Sequence, residues 1–386
     1  MNYGLDARLV GPTEPAQTLL AVELTRNLAL QATKNHEQVH VYTGQAGQEA
    51  LRSCVGAVLH ALPVPLHRLT AGLLWNQVIL PVQARMDHLD LIHSPFFFLP
   101  RHGLPRRMKR VITVHDLAFA KNPREFSRRT LFYFKTIARG SIENADAIVV
   151  SCGAVGNDVA EYYGIAPEKI HVIPLGLKPS LEACARSTTV VSRPSTGAEP
   201  FVLNVGVIHS RKNLDVLLKA FQLARHTLPS LKLRLVGRPA HGAPQIFALI
   251  DDLGLRDHVI HEIHVSEERL RHYYGHAAAV VMPSRSEGFG FPALEAMACG
   301  AAVIACRSGS LPELVGDAGE YFDPGNVEEL AQLILARVNS GSDSALASRA
   351  QKQALQFTWS RTASLTLALY RGLCGCHARF RRGQTR

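Results

Sequence analysis

The chain has 386 residues, 47% of them apolar and 19% charged, with a formal net charge of +10. This length predicts two domains, because a single core rarely grows beyond about 250 to 300 residues. No run approaches the roughly 20 apolar residues of a membrane-spanning helix, and the first residues do not resemble a signal peptide. The seven cysteines are scattered and lack the spacing of a zinc site, so reduced thiols and a cytoplasmic protein are expected.

Positive charge is concentrated in two segments. Residues 101–139 hold eleven Lys and Arg against two acids, and residues 371–386 hold five Arg and no acid, which leaves the remainder at about −4. Such patches favour an anionic surface as partner. Residues 127–135, SRRTLFYFK, mix cations with aromatics as an interfacial helix does. The alternative is a helix that buries its aromatics in the protein. Nucleic acid is not an expected partner, because no recognised motif accompanies the charge.

The first half of the chain alternates short apolar runs with helical patterns, which predicts βα units and a parallel sheet. Strands are predicted at residues 39–43, 89–94, 110–116, 147–151 and 170–174, with a helix over 15–30 and an apolar stretch over 73–84. The Ser-, Pro- and Gly-rich run at 192–200 predicts a linker. We therefore expect a first Rossmann-like domain over 1–180 and a linker over 181–200.

A second βα series follows the linker. Strands are predicted at 201–207, 231–237, 258–263, 278–284 and 301–305, and helices at 213–225, near 244–254 and at 266–274. These predict a second Rossmann-like domain over 201–358, followed by a closing helix and basic tail over 359–386. Ligands of open α/β sheets bind outside the carboxyl ends of the strands, so the site is expected in a crevice between the two domains.

The stretch from 283 to 305, PSRSEGFGFPALEAMACGAAVIA, carries the strongest chemical signal. A strand is predicted to end at Ser284, and Pro292 stands where a helix begins. Gly288 and Gly290 allow a close backbone approach to a ligand. Glu287 in the loop and Glu295, expected in the first helical turn, can face one crevice and accept hydrogen bonds from sugar hydroxyls. The residues alone leave open an ordinary strand–loop–helix turn, or the paired carboxylates of a glycoside hydrolase.

Two further loops carry candidate groups. In residues 203–221, a predicted strand is followed by the adjacent cations Arg211 and Lys212 and then by a predicted helix. The helix is expected to start at Asn213, with this residue as its N-cap. Two cations beside the start of a helix suit a diphosphate ligand. A solvated basic loop is the alternative, and neither GxxxxGK[ST] nor a GxGxxG after the first strand is present. In residues 111–119, His115 and Asp116 follow a strand of the first domain, although a lone histidine is more often structural.

Together these segments resemble glycosyltransferase family 4, over about residues 73–370. The family's E-x7-E motif appears as Glu287 through Glu295, its phosphate-binding loop as GVIHSRKN at 206–213, and its first-domain signature as DLIHSPFFFLP followed by VHDLAF. Trp359 with Tyr370 resembles the closing helix that crosses back to the first domain. The resemblance implies a GT-B fold, with two Rossmann-like domains facing across a deep cleft, and a retaining transferase without a protein nucleophile.

The resemblance also implies roles for individual residues. Lys212, aided by Arg211, would hold the donor diphosphate and stabilise the charge that develops on it. Glu287 and the backbone N–H groups of Gly288, Phe289 and Gly290 would bind the donor sugar, and Glu295 the ribose. The loop after Gly237 would lie near the base, and His115 would reach the sugar. No metal and no other cofactor is implied.

The donor implied is a nucleotide-diphosphate sugar, and the acceptor a saccharide or lipid-linked saccharide of cell-surface polysaccharide synthesis. GDP-mannose is taken as the donor because the HDLAF and RKN segments resemble mannosyl- and rhamnosyltransferase-like members of the family. Association with the inner face of a membrane would follow from the two basic segments. The stretch GPTEPAQTLL at 11–20 departs from the family's glycine-rich loop, and Val207 stands where many members have Arg. Two alternatives therefore remain: a nucleotide-sugar-binding subunit with weakened catalysis, and a sugar-nucleotide epimerase of the same fold.

Overall fold

The structure is a computed structural model that describes residues 1–11, 15–62, 72, 74–187, 199–341 and 343–375. Its described part contains strands β1 (Asn2–Asp6), β2 (Gln38–Gly44), β3 (Ala57–Leu62), β4 (Leu91–Ser94), β5 (Lys109–Val114), β6 (Ala147–Val150), β7 (Ile170–Val172), β8 (Phe201–Val205), β9 (Lys232–Val236), β10 (Val259–Glu262), β11 (Ala279–Met282), β12 (Val303–Cys306) and β13 (Glu320–Phe322).

The α-helices of the described part are α1 (Pro15–Thr33), α2 (Gln45–Leu51), α3 (Leu80–Met86), α4 (Ala118–Lys121), α5 (Arg128–Tyr133), α6 (Arg139–Glu143), α7 (Gly153–Tyr163), α8 (Pro179–Arg186), α9 (Leu214–Thr227), α10 (Ala243–Asp252), α11 (Glu267–His276), α12 (Phe291–Ala298), α13 (Leu311–Val315), α14 (Val327–Asn339), α15 (Ser344–Ala354) and α16 (Trp359–Leu373). A π-helical turn precedes α3 and another follows α5.

The chain forms two compact units, one of Met1–Gly176 with Thr358–Arg386 and the other of Leu177–Phe357. Each unit contains one parallel sheet with helices connecting its strands. The prediction of two parallel-sheet α/β units is therefore confirmed. The linker predicted over 181–200 stays a prediction: α8 covers 179–186, and residues 188–198 lie outside the described part.

In the first unit the described strands form a seven-stranded sheet in the order β3-β2-β1-β4-β5-β6-β7. The order runs outward in both directions from β1 and β4, so the sheet has a topological switch point between these two strands. The inner strands β1, β4 and β6 are almost wholly buried, as expected for a parallel sheet covered on both faces, whereas the edge strands β3 and β7 are partly exposed.

The closing helix α16 belongs to the first unit, as the resemblance implied. It packs along α1, and Arg371 forms a bidentate ion pair with Glu37 at 2.7 and 3.0 Å. The Tyr370 hydroxyl lies 2.6 Å from Nδ1 of His93, inside the core. Burial lowers the pKa of His93 to about 3, so this imidazole is neutral at physiological pH.

In the second unit the described strands form a six-stranded sheet in the order β10-β9-β8-β11-β12-β13. Strand β8 lies beside β11, and successive strands extend away from this pair on either side. The switch point of this sheet is therefore between β8 and β11.

Three strands were missed in the sequence. Strand β1, NYGLD, and strand β3, AVLHAL, interrupt their apolar runs with Gly or polar residues, and β13, EYF, has only three residues. All three are fixed by pairing with neighbouring strands rather than by local pattern. Among the described cysteines none is in a disulfide, in agreement with the expected reduced thiols.

Candidate functional site

The candidate site in the second unit is built on the two loops at its switch point. Strand β8 ends at Val205 and leads into residues 206–213, and its neighbour β11 ends at Met282 and leads into residues 283–290. The carboxyl ends of adjacent parallel strands lie at one edge, which is where open α/β sheets bind ligands. Two motifs 75 residues apart in the chain are thus brought together by the strand order.

Lys212 and Glu287 meet across these two loops. The Lys212 Nζ lies 2.5 Å from Glu287 Oε1, and the two side chains are 15% and 9% exposed. The sequence placed the two residues in separate motifs, and the structure joins them as one ion pair. A half-buried ammonium beside a carboxylate offers both a cation for phosphate oxygens and an acceptor for hydroxyl groups.

Residues 206–213 are held by both neighbouring loops. Asn213 adopts a left-handed backbone conformation (φ 56°), and its Nδ2 donates to the Pro283 carbonyl at 3.0 Å. Asn213 is the N-cap residue of α9, as expected, but its side chain makes no capping hydrogen bond. Arg211 is half-buried in the same turn, and its backbone N–H lies 3.3 Å from His209 Nδ1.

Gly237, after β9, makes a close backbone approach to this loop. Its φ is +152°, and a Cβ added there would lie 2.0 Å from the Gly206 carbonyl oxygen. The Gly237 carbonyl accepts from the ring of His261 at 2.8 Å. The position next to the loop is consistent with a role near the donor, although the contact with the base stays a prediction.

The loop 283–290 ends in a glycine that its conformation requires. Gly290 has φ +101°, in the left-handed region, and immediately precedes α12. The Phe289 side chain is buried against Phe291 and Phe357, and its carbonyl accepts from Ser310 Oγ at 3.0 Å. These contacts fix the backbone on which the predicted N–H donors of 288–290 lie.

Glu295 differs from the expectation in position and environment. Because α12 begins at Phe291, Glu295 lies in the second helical turn and not the first. Its Oε2 accepts from the Tyr274 hydroxyl at 2.9 Å, and burial raises the pKa of its carboxyl. Tyr274, on α11, was missed in the sequence because no local pattern connects the two helices. The ribose role of Glu295 stays a prediction.

His115 lies in the first unit, directly after β5. Its Nε2 lies 2.7 Å from the Pro95 carbonyl, which follows β4, and burial lowers the pKa of the imidazole. A carbonyl only accepts, so Nε2 carries the proton and the neutral ring keeps Nδ1 as an acceptor. The adjacent Asp116 accepts from the Ala118 backbone N–H and so shapes the following turn.

A buried ion pair at the switch point of the first sheet was missed in the sequence. Arg8 Nε lies 3.4 Å from Asp6 Oδ2 at the end of β1, and both side chains are almost fully buried. Burial raises the pKa of Asp6. The signal in the sequence was the acid Asp6 two positions before the base Arg8, at the end of the run NYGLD. In the atypical loop that follows, Gly11 exchanges two hydrogen bonds with Thr18, and residues 12–14 lie outside the described part.

Family models match both units. A model described as "Glycosyltransferase Family 4" matches residues 21–181, and one described as "Glycosyl transferases group 1" matches residues 186–355. The O-antigen chain mannosyltransferase B of Escherichia coli is 30% identical over 294 residues, covering 75% of this chain and 76% of that protein. The D-inositol 3-phosphate glycosyltransferase of Acidothermus cellulolyticus is 29% identical over 338 residues, covering 80% and 72%.

Solved structures with a similar fold cover nearly the whole chain. Sucrose-phosphate synthase from Thermosynechococcus elongatus superimposes with a TM-score of 0.70 at 21% identity, covering 97% of this chain and all of that one. The complex of Anabaena HepE with UDP superimposes with a TM-score of 0.63 at 21% identity, covering 95% and 99%. At these identities the superpositions establish a shared fold.

Proposed function

This chain belongs to glycosyltransferase family 4 and has the two parallel-sheet units of the GT-B fold, and from that premise we propose that it is a retaining hexosyltransferase. The proposed donor is a nucleotide-diphosphate sugar, and the acceptor a saccharide or lipid-linked saccharide in polysaccharide synthesis. The observation that carries the proposal is the Lys212–Glu287 pair at the switch point of the second sheet.

The chemistry proposed for this pair is charge stabilisation. Negative charge grows on the diphosphate as the glycosidic bond breaks. The Lys212 ammonium, which is paired with Glu287 in this structure, would then pair with the phosphate oxygens instead. Glu287 would then accept from hydroxyls of the donor sugar. A fixed cation in a half-buried loop stabilises such charge without reorganisation, which is why no metal ion is proposed for this step.

We propose GDP-mannose as the donor because one of the relatives of 30% identity, from Escherichia coli, is named a mannosyltransferase of the O-antigen chain. His115, neutral and held through Nε2, would use its Nδ1 to orient a sugar hydroxyl. Attack on the same face as the leaving diphosphate would give retention, since no protein nucleophile is proposed.

The first experiment compares donors on the purified chain. A thermal-shift measurement tests binding of three donors: GDP-mannose, UDP-glucose and dTDP-rhamnose. Each donor is then incubated with the protein and extracts of lipid-linked acceptors to measure transfer, and without acceptor to measure hydrolysis. A ligand bound only by the folded state adds about 2.7 kcal/mol of stability at a hundredfold excess over its dissociation constant. Stabilisation and transfer with GDP-mannose are expected. A response to UDP or dTDP sugars alone would overturn the mannose assignment.

The same assay tests the proposed pair. Lys212→Ala is expected to reduce turnover by roughly 10²- to 10³-fold, the usual effect of removing one group that stabilises a developing charge. Lys219→Ala removes an exposed lysine from α9 and is the matched control. Donor binding without hydrolysis or transfer in the wild type would favour a binding subunit, and a changed sugar configuration without acceptor would favour an epimerase.

We further propose peripheral binding to an anionic membrane through residues 101–139. On α5, Phe132 is 68% exposed, and Arg128 and Arg129 lie one turn before it on the same surface, also exposed. Tyr133 and Phe134 instead pack against Phe98 and Phe119, which lie in the first unit, with ring centroids 4.4 and 4.5 Å apart. One aromatic residue beside two arginines is therefore presented to the surroundings. No helix of the described part is long and apolar enough to cross a membrane.

A further inference from the structure

A cluster of metal-ligating side chains lies in the first unit, outside the groups assigned above. His40 is on β2, His60 on the edge strand β3, and Asp87 directly after α3. Strands β2 and β3 lie on the opposite side of β1 from β5, the strand that carries His115. Nothing in the proposed transfer reaction uses these three residues, so their convergence requires its own explanation.

The spacing of the three side chains matches the edges of a metal coordination polyhedron. His40 Nδ1 lies 3.1 Å from His60 Nε2, and His60 Nε2 lies 3.5 Å from Asp87 Oδ2. The three ligand atoms are all within 4.8 Å of one another. Zinc binds imidazole nitrogen and carboxylate oxygen at about 2.0 to 2.2 Å, and tetrahedral geometry then separates neighbouring ligand atoms by about 3.3 Å.

Three atoms that can each present a lone pair converge here. His60 Nε2 carries either one proton or one lone pair, and it faces both His40 Nδ1 and Asp87 Oδ2. If it accepts a proton from His40, its lone pair is taken up and it offers no donor to Asp87. If it carries a proton, that N–H is shared between the His40 lone pair and the Asp87 oxygen. A cation between the three atoms satisfies all of them together.

Neighbouring groups hold the cluster in place. The Tyr42 hydroxyl donates to Asp87 Oδ2 at 2.6 Å, and Gln83 Nε2 lies 3.1 Å from the same oxygen. The Tyr42 ring stacks on His60 with centroids 4.8 Å apart. Such outer partners orient metal ligands and raise their affinity. His40 is buried, whereas the His60 and Asp87 side chains are 21% and 15% exposed, which leaves a route for an ion.

We propose that His40, His60 and Asp87 bind a divalent transition-metal ion, with Zn²⁺ as the matching ion. Two imidazoles and one carboxylate form a donor set suited to Zn²⁺, and the remaining coordination position is left to water. Bound there, the ion links β2, β3 and the end of α3, which are separate elements of the first unit. The proposal is independent of the transfer reaction. This site could not be predicted from the sequence, because the three residues are 20 and 27 positions apart and lack a ligand motif.

Metal binding is tested on the full chain after removal of metals with EDTA. Calorimetric titration with Zn²⁺, with the bound metal measured by mass spectrometry, is expected to show one equivalent. Asp87→Asn and His60→Gln are expected to weaken binding by at least about tenfold, and Tyr42→Phe by about 10- to 100-fold. His226→Ala removes an exposed histidine of the second unit and is the matched control, with no change expected.

Circular dichroism and melting of each variant in EDTA separate loss of the site from loss of the fold. Tyr42→Phe keeps all three ligands, so its Zn²⁺ affinity still tests the site if a ligand variant fails to fold. Binding of Co²⁺ adds a signature, since four-coordinate Co²⁺ absorbs strongly in the visible range and this absorption is expected in the wild type. The proposal is overturned if the wild type takes up no Zn²⁺. It is also overturned if Zn²⁺ binds with equal affinity to the wild type, to Tyr42→Phe and to the folded ligand variants.

Discussion

The two glutamates of the E-x7-E motif have different surroundings although they are only eight positions apart. Glu287 is paired with a cation, Lys212. Glu295 has a phenol, Tyr274, as its recorded hydrogen-bond partner, and burial raises the pKa of its carboxyl. Burial makes the charged carboxyl of Glu295 unfavourable and raises its pKa, and the charge of Lys178 offsets only part of this effect. Groups with perturbed pKa are frequent at functional sites, which is in line with the ribose role predicted for Glu295.

Glu295→Gln is expected to raise the free energy of unfolding at pH 7, because burial disfavours the charged carboxylate and the amide carries no charge. A carboxyl whose pKa is raised in the folded state contributes stability fully below its ordinary pKa, and loses it as pH rises through the folded value. The advantage of Glu295→Gln over the wild type should therefore grow from pH 4 to pH 8. Urea unfolding across this range measures it.

Glu268→Gln is the matched control for that series, because Glu268 is exposed on α11. It should show no comparable pH-dependent gain. A constant destabilisation by Glu295→Gln at every pH would contradict the assignment of a raised pKa. Weaker donor binding by Glu295→Gln, measured in the same buffers, would support the ribose role.

Among the elements of the second unit, the loops after β8, β9 and β11 are joined by hydrogen bonds. The Asn213 side-chain amide donates to the Pro283 carbonyl at 3.0 Å, and the backbone N–H groups of Gly206 and Ile208 donate to the carbonyls of Val236 and Arg238 at 2.9 Å. The end of β8 is therefore fixed to β11 through a side chain and to β9 through main-chain atoms. A site built in this way keeps its charged side chains in place before any ligand binds, which is the condition for electrostatic catalysis.

Gly237→Ala is expected to cost about 3 kcal/mol of stability, since a Cβ would overlap the Gly206 carbonyl oxygen and the backbone has φ +152°. Donor affinity should fall with it, because the shifted loop carries Lys212. Gly254→Ala is the control: Gly254 also has positive φ (+67°) but no atom within 4 Å of an added Cβ. Gly254→Ala should lower the free energy of unfolding by only about 1 kcal/mol. Denaturant midpoints measure the loss of stability in both variants, and equal losses would argue against the close approach at Gly237.

Over the whole chain, the charge distribution is the basis of the proposed membrane binding. The net charge of +10 arises mainly from residues 101–139 and 371–386. In the first of these segments Arg106, Arg107, Arg124, Arg128 and Arg129 are exposed. Near an anionic bilayer each such cation contributes on the order of 1 kcal/mol, and an exposed aromatic residue adds apolar contact. Residues 376–386 of the second segment lie outside the described part.

Co-sedimentation with anionic vesicles is expected to capture the chain at low salt and to release it at high salt, because salt screens charges beyond about 10 Å at 0.1 M. Phe132→Ser and the double variant Arg128→Gln, Arg129→Gln should each weaken capture several-fold. Val55→Ser replaces another exposed apolar residue outside the basic segment and should leave capture unchanged. Binding that is absent, or equal on neutral vesicles, would refute the membrane proposal.

Much of the fold was predictable because its signal is local. Ten of the thirteen described strands coincide with apolar runs that the sequence marks, and the helices around them follow the expected periodicity. The exceptions, β1, β3 and β13, are short or polar and are selected by their neighbours in the sheets. The motif residues Lys212, Glu287 and Gly290 were identified in the sequence, since their spacing in two loops resembles a known family.

The two parallel-sheet units, the family and the two candidate loops could thus be predicted from the sequence. Which side chains meet became evident from the folded structure: Lys212 with Glu287, Glu295 with Tyr274, and His40 with His60 and Asp87. The physical reason is that periodicity and turn chemistry act over a few residues, whereas these contacts join elements that become neighbours through strand order and helix packing. A charge pair, a raised pKa or a ligand triad is a property of that packing and leaves no pattern along the chain.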